Sequence, residues 1–224
     1  MIREVKREDL SACADLIRKS FQTVADEFGF TRENAPRFTA FATTEERLRW
    51  YMDSEHRLMY LYESNGRPCG YYSLLLRDYG ACELGSLSVL PEYRHRGIGG
   101  KLLQHAIEAA EAQGCTVMNL SIVEENTVLR RWYERHGAIH TGTEKFDFFP
   151  FTCGYMKIML PEAGKPDLKE KLPVFPDYRH CLVNLSNSVL KKFGAETAAE
   201  TLPLADQFLR EEYQNTVIDS ADRH

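Results

Sequence analysis

Residues 84–103 read LGSLSVLPEYRHRGIGGKLL, and three elements follow one another in them without a gap. Residues 85–90 are an apolar, partly β-branched run of strand length. Pro91 ends the run, because proline has no N–H to give to a ladder. Arg94, His95, Arg96, Gly97, Ile98, Gly99 and Gly100 come next. Leu102, Leu103, Ala106, Ile107 and Ala110 then recur at helical spacing. The parse is strand, basic glycine-rich turn, helix, with the helix predicted over residues 100–113 and stopped at Gly114. The first N–H groups of a helix have no partner inside it, and the dipole makes that end positive. Gly97, Gly99 and Gly100 carry no Cβ, so an anion can approach the backbone closely. Arg94 and Arg96 add charge and a bidentate grip. The turn therefore suits a phosphate or pyrophosphate. It is not a P-loop: Leu102 follows Gly100 and Lys101 where Ser or Thr is needed, and His95 stands where the first glycine should be. It is not a dinucleotide fingerprint either, since Leu102 takes the place of its last glycine.

The residues Arg94 to Gly99 do match Arg/Gln-x-x-Gly-x-Gly/Ala, the acyl-CoA signature of the GCN5-related N-acetyltransferases (GNAT). Leu87, Ser88, Val89, Leu90, Pro91, Glu92 and Tyr93 resemble that family's approach to the turn. A second stretch, residues 126–137 (NTVLRRWYERHG), resembles the family's Asn-x-x-Ala-x-x-aromatic/Leu-Tyr-x-Lys/Arg-x-Gly-Phe motif. It departs from it at Leu129, where Ala is usual, and at Ala138, where Phe is usual. The resemblance covers residues 1–160. It implies an α/β protein with a mixed, mostly antiparallel central sheet flanked by helices. It also implies acetyl-CoA as co-substrate and an acetyl group passed directly to a small-molecule or protein amine. Carried over residue by residue, the pyrophosphate falls to Arg94, His95, Arg96, Gly97, Ile98, Gly99, Gly100 and Lys101. The pantetheine arm falls to the backbone of Leu87, Ser88 and Val89, with the Val89 N–H toward the thioester oxygen. Asn126 and Tyr133 complete the cofactor set.

For the chemistry, Tyr133 is the expected acid. Asn126 and Tyr133 are seven residues apart and so share a helix face. A phenol, with a pKa of about 10, is protonated at neutral pH and can give its proton to a departing thiolate. Glu83 is the expected base, acting through water: it lies eleven residues before Arg94, the spacing of a glutamate base in histone-type members. Strand alternation puts Glu83 on the face of Leu87 and Val89, unless a bulge breaks the parity. No cysteine sits in a nucleophile setting, so no covalent acyl-enzyme is expected. The alternative reading is a non-catalytic acyl-CoA-binding regulatory module.

The remaining chain fits this order. Residues 2–6 read as strand and residues 7–28 as helix, with Leu10, Cys13, Ala14, Ile17, Phe21 and Val24 in one stripe. Residues 29–43 read as irregular. Thr44 reads as the N-cap of a helix to Met52. Residues 58–63 and 69–76 read as strands joined by Asn65 and Gly66, a hairpin signal. Residues 82–90 and 116–123 are strands, 125–136 a helix, and 138–145 and 152–160 strands. By the resemblance the first helical region overhangs the acceptor site. Phe28, Phe30, Phe38 and Phe41 are then either acceptor contacts or packing for the second helix. Phe146, Phe148, Phe149, Pro150 and Phe151 read as an apolar wall or a subunit contact, and a homodimer is compatible with them.

A proline-studded linker over residues 161–179 and a short helical extension over residues 180–224 are expected to follow. The chain of 224 residues carries a net charge of -5, which argues against a nucleic-acid partner. Its charged opening, MIREVKREDL, predicts no signal peptide, and no apolar run nears the roughly 20 residues of a membrane helix. The six cysteines are scattered, predicting a reduced cytoplasmic protein, and no His/Cys cluster has metal-ligand spacing.

Overall fold

Strand pairing explains the architecture. The computed structural model of the chain describes residues 1–78 and 80–160; the linker and helices expected over 161–224 lie outside them. The strands are β1 (Ile2–Glu4), β2 (Leu58–Ser64), β3 (Arg67–Leu76), β4 (Ala81–Val89), β5 (Val117–Val123), β6 (Ala138–Lys145) and β7 (Thr152–Met159). They form one sheet in the order β1-β2-β3-β4-β5-β7-β6. Every pairing is antiparallel except that of β4 with β5. The helices are α1 (Leu10–Phe28), the single turn α2 (Thr39–Ala42), α3 (Glu45–Asp53), α4 (Ile98–Ala112) and α5 (Thr127–Arg135). This is the mixed α/β order that the sequence predicts, with α2 added inside the stretch read as irregular. No helix among the described residues is long and apolar enough to cross a membrane.

Local chemistry sets the element ends. The Asp9 carboxylate accepts from the Lys6 N–H at 2.8 Å and receives both arms of the Arg3 guanidinium, at 2.7 and 2.9 Å. One side chain thus closes the 3₁₀ turn Arg7–Asp9 that leads into α1 and ties it to β1. Thr44 caps α3 by accepting from the Arg47 N–H at 3.1 Å. Asn65 and Gly66 both take positive φ, 51° and 72°, the conformation of a type I′ hairpin turn. Helix α4 begins at Ile98, two residues before the predicted start. Gly97 turns the chain at φ 76°, and the buried Ile98 side chain packs over Gly70.

The sheet is covered on both faces. Leu102, Leu103 and Ala106 of α4 pack with Tyr72, Leu74, Cys82 and Met118 on one side. Leu10, Ile17 and Leu48 pack with Leu61 and Tyr71 on the other. A third buried group is largely aromatic: Phe30, Phe38 and Phe151 with Ala25 and Val123.

Two irregularities shape the middle of the sheet. Opposite β3, Tyr71 faces Ser88 but Ser73 faces Gly85, so β4 holds one residue more than its partner. Ser86 takes φ 51° there, and the strand bulges. On its other side β4 pairs with β5 at only three positions, Ala81 with Val117, Cys82 with Met118 and Glu83 with Asn119. Beyond them the strands part, although β4 stays paired to β3 and β5 to β7.

Candidate active site

The parting of β4 and β5 opens a cavity of about 220 Å³. Leu84, Ser86 and Leu87 line it from β4, and residues 120–123 from β5. Asn126, Leu129 and Tyr133 come from α5. The overhang supplies Phe21 and Val24 of α1 and Arg37, Phe38 and Thr39 around α2. Phe149, Phe151 and Cys153 close it from the approach to β7 and its start.

The open edge of β4 has a defined polarity. The Leu90 N–H donates to the Cys69 carbonyl of β3 at 2.9 Å. In an antiparallel ladder, alternate residues turn their backbone groups to opposite sides. Those of Leu87 and Val89 therefore face the cleft. The Val89 carbonyl accepts from Arg94 Nε at 3.1 Å, and the Val89 N–H is left for a guest.

Arg94 departs from the expectation of an outward bidentate grip. Besides Val89, its guanidinium donates to Thr23 Oγ1 at 3.0 Å and to the Ser20 carbonyl at 2.8 Å. It points inward and straps the end of β4 to α1. No carboxylate among the described residues lies within ion-pair range of it, and burial lowers its pKa. Among the described residues its positive charge is opposed only at a distance, by the field of Glu92. His95 and Arg96 are exposed, with Arg96 donating to the Glu92 carbonyl at 2.8 Å. The α4 N-terminus has no side-chain cap, so its first N–H groups are open. A Cβ on Gly99 would stand 3.5 Å from Trp132, and one on Gly100 3.5 Å from His136 Nε2. The start of α4 thus lies against α5, close to Tyr133. Lys101 is exposed in the first turn, whereas the Ile98 side chain faces the core and offers the turn only its backbone.

Tyr133 is 6% exposed, and its hydroxyl has no hydrogen-bond partner among the described residues. Burial raises its pKa above the ordinary phenol value. Asn126 is the N-cap of α5, accepting from the Leu129 N–H at 2.9 Å, so its amide N–H₂ remains unassigned. The predicted shared face holds: both residues line the cavity.

The predicted shared face of Glu83 with Leu87 and Val89 does not hold. The bulge at Ser86 reverses the parity, and Glu83 sides with Gly85 and Ser88, away from Leu87 and Val89. Glu83 is half exposed and forms a two-bonded ion pair with Arg77, at 3.0 and 3.1 Å. Ser88 is likewise turned from the cleft, its buried Oγ without a partner among the described residues; only its backbone belongs to the β4 edge.

Of the aromatics, Phe38, Phe149 and Phe151 reach the cavity, whereas Phe28, Phe30 and Phe41 stack behind them. Phe21 and Val24 belong to the α1 stripe and were not singled out as lining residues, and neither were Arg37 and Cys153. Burial raises the Cys153 thiol, and the neighbouring Glu144 and Glu125 push the same way.

Comparison with known proteins bears on the family and the fold. The family model described as "Acetyltransferase (GNAT) family" matches residues 21–138. An uncharacterised N-acetyltransferase of Methanocaldococcus jannaschii is 25% identical over 142 residues, 61% of this chain and 59% of that protein. The chain therefore spans less than two thirds of that relative's length. A thialysine N-epsilon-acetyltransferase of Bos taurus is 27% identical over 146 residues, 62% of this chain and 83% of that one. Among solved structures, the PaiA N-acetyltransferase of Thermoplasma acidophilum in complex with coenzyme A superposes with a TM-score of 0.61 at 21% identity, covering 71% of this chain and 98% of that one.

Proposed function

The chain belongs to the acetyltransferase (GNAT) family, and from that membership we propose that it passes an acetyl group from acetyl-CoA to a primary amine by direct attack in a ternary complex. One observation carries the reading: Leu84, Ser86 and Leu87 of the parted β4 and the buried Tyr133 line one cavity, and the uncapped start of α4 lies against Trp132, the residue before Tyr133.

In this reading the pantetheine amides add to the β4 edge as a further strand, and the pyrophosphate sits on the first N–H groups of α4 over Gly97, Gly99 and Gly100. Arg94 contributes charge from beneath, and the Val89 N–H polarises the thioester carbonyl. The amine lone pair attacks the carbonyl carbon, a C–N bond forms, the C–S bond breaks, and Tyr133 gives its proton to the thiolate. The amine proton leaves to water, and solvent returns a proton to Tyr133, so the enzyme ends as it began. A part for Glu83 in that step runs only through a water relay, and the proposal does not depend on it. The burial-raised Cys153 thiol supports direct transfer over an acylated cysteine. The five cysteines among the described residues are unpaired thiols, which suits a cytoplasmic setting.

Initial rates with both substrates varied, joined to mass spectrometry of the protein after exposure to acetyl-CoA alone, test the mechanism. Intersecting double-reciprocal lines and an unmodified chain are expected. Parallel lines with a stable acetyl adduct on Cys153 would overturn it. Acetyl-CoA binding with no turnover of any amine would favour the regulatory-module alternative.

A further inference from the structure

We propose that the amine acceptor is a small primary alkyl amine that carries both an aromatic ring and a carboxylate, its ring held among Phe21, Phe38, Phe149 and Phe151 and its carboxylate by Arg37. The inference rests on the acetyltransferase reading and names the substrate class of the same cleft. The four rings form a connected set: Phe149 and Phe151 stack at 4.7 Å, and Phe38 meets Phe151 at 5.8 Å and Phe21 at 6.0 Å, both edge to face. Such a wall offers ring faces and edges that another aromatic ring complements. The cavity volume of about 220 Å³ suits a small molecule.

Charge decides the other end of the acceptor. Arg37 is the one charged residue among the described residues that line the cavity, and no Asp or Glu is there. Its guanidinium lies over the exposed Phe148 ring, 5.2 Å from the centroid, and has no ion-pair partner among the described residues. A planar guanidinium braced on a ring is oriented to receive a carboxylate through two bonds. A polyamine or lysine-rich peptide would instead meet a like charge and no counter-ion.

The test uses the full chain, acetyl-CoA and thiol release with phenylalanine, alanine, phenethylamine and spermidine. Phenylalanine should exceed both alanine, which lacks the ring, and phenethylamine, which lacks the carboxylate, by on the order of tenfold in kcat/KM. Spermidine should be the poorest. Arg37→Ala should collapse the phenylalanine-to-phenethylamine ratio toward one. Preference for spermidine, or a ratio untouched by Arg37→Ala, overturns the assignment. Calorimetry with acetyl-CoA separates the two readings. Binding without acetylation of phenylalanine defeats the acceptor class alone, whereas no binding defeats the acetyltransferase reading and the acceptor class with it.

Discussion

Tyr133 holds its proton because burial disfavours the phenolate. In the resting protein its hydroxyl binds nothing among the described residues, so Tyr133→Phe should change stability by less than about 1 kcal/mol. The same substitution should lower kcat on the order of a hundredfold or more if Tyr133 is the acid. Because its pKa is raised, the protonated form persists beyond the ordinary phenol range. The rate should therefore climb as the amine loses its proton and show no falling limb below about pH 10. A descent beginning near neutrality in the wild type, absent from Tyr133→Phe, would contradict this. Glu83 makes the opposite case. It pairs with Arg77 at the surface, so Glu83→Gln should cost less than about tenfold in kcat, an effect within reach of an exposed ion pair. A larger loss would restore it as the base.

At the scale of elements, the sequence reading failed where a local signal was missing. Asn65 with Gly66 announced a hairpin, and Thr44 announced a cap. Ser86 announced nothing, because its side chain does not mark a positive φ. One inserted residue then moved Glu83 to the other face. Arg94 misled for a different reason: the groups it binds, on Ser20 and Thr23, lie 74 and 71 residues away. Gly97 was legible as the turn before α4. Gly97→Ala forces an L side chain to φ 76° and should cost about 1–2 kcal/mol, read as a fall in melting temperature together with weaker acetyl-CoA binding. Asp9 joins α1 to β1. Asp9→Ala should cost about 1–2 kcal/mol at neutral pH. Arg3 holds the Asp9 carboxyl below the ordinary aspartate value. Its contribution is therefore complete above about pH 4 and lost as pH falls through the lowered native value, so the two melting curves should converge only in acid.

At the scale of the molecule, helical and strand periodicity gave the element order, and the glycine turn with the two motifs gave the family. The acceptor chamber was legible in part: Phe38, Phe149 and Phe151 were among the aromatics named for it, whereas Phe21 and Arg37 were not, because three distant segments build it. Periodicity sees each segment alone. The described residues, up to Leu160, belong to one compact unit. A chain ended at Gly164 should still melt cooperatively and bind acetyl-CoA, and failure to do either would make residues 165–224 part of the working fold. The most direct measurement of the central claim is amine-dependent CoA release from acetyl-CoA, with wild type and Tyr133→Phe side by side under calorimetrically verified binding. The account predicts release in the wild type that requires the amine and collapses in the variant while acetyl-CoA stays bound. Equal release by both proteins, or a wild type that does not bind acetyl-CoA, would contradict it.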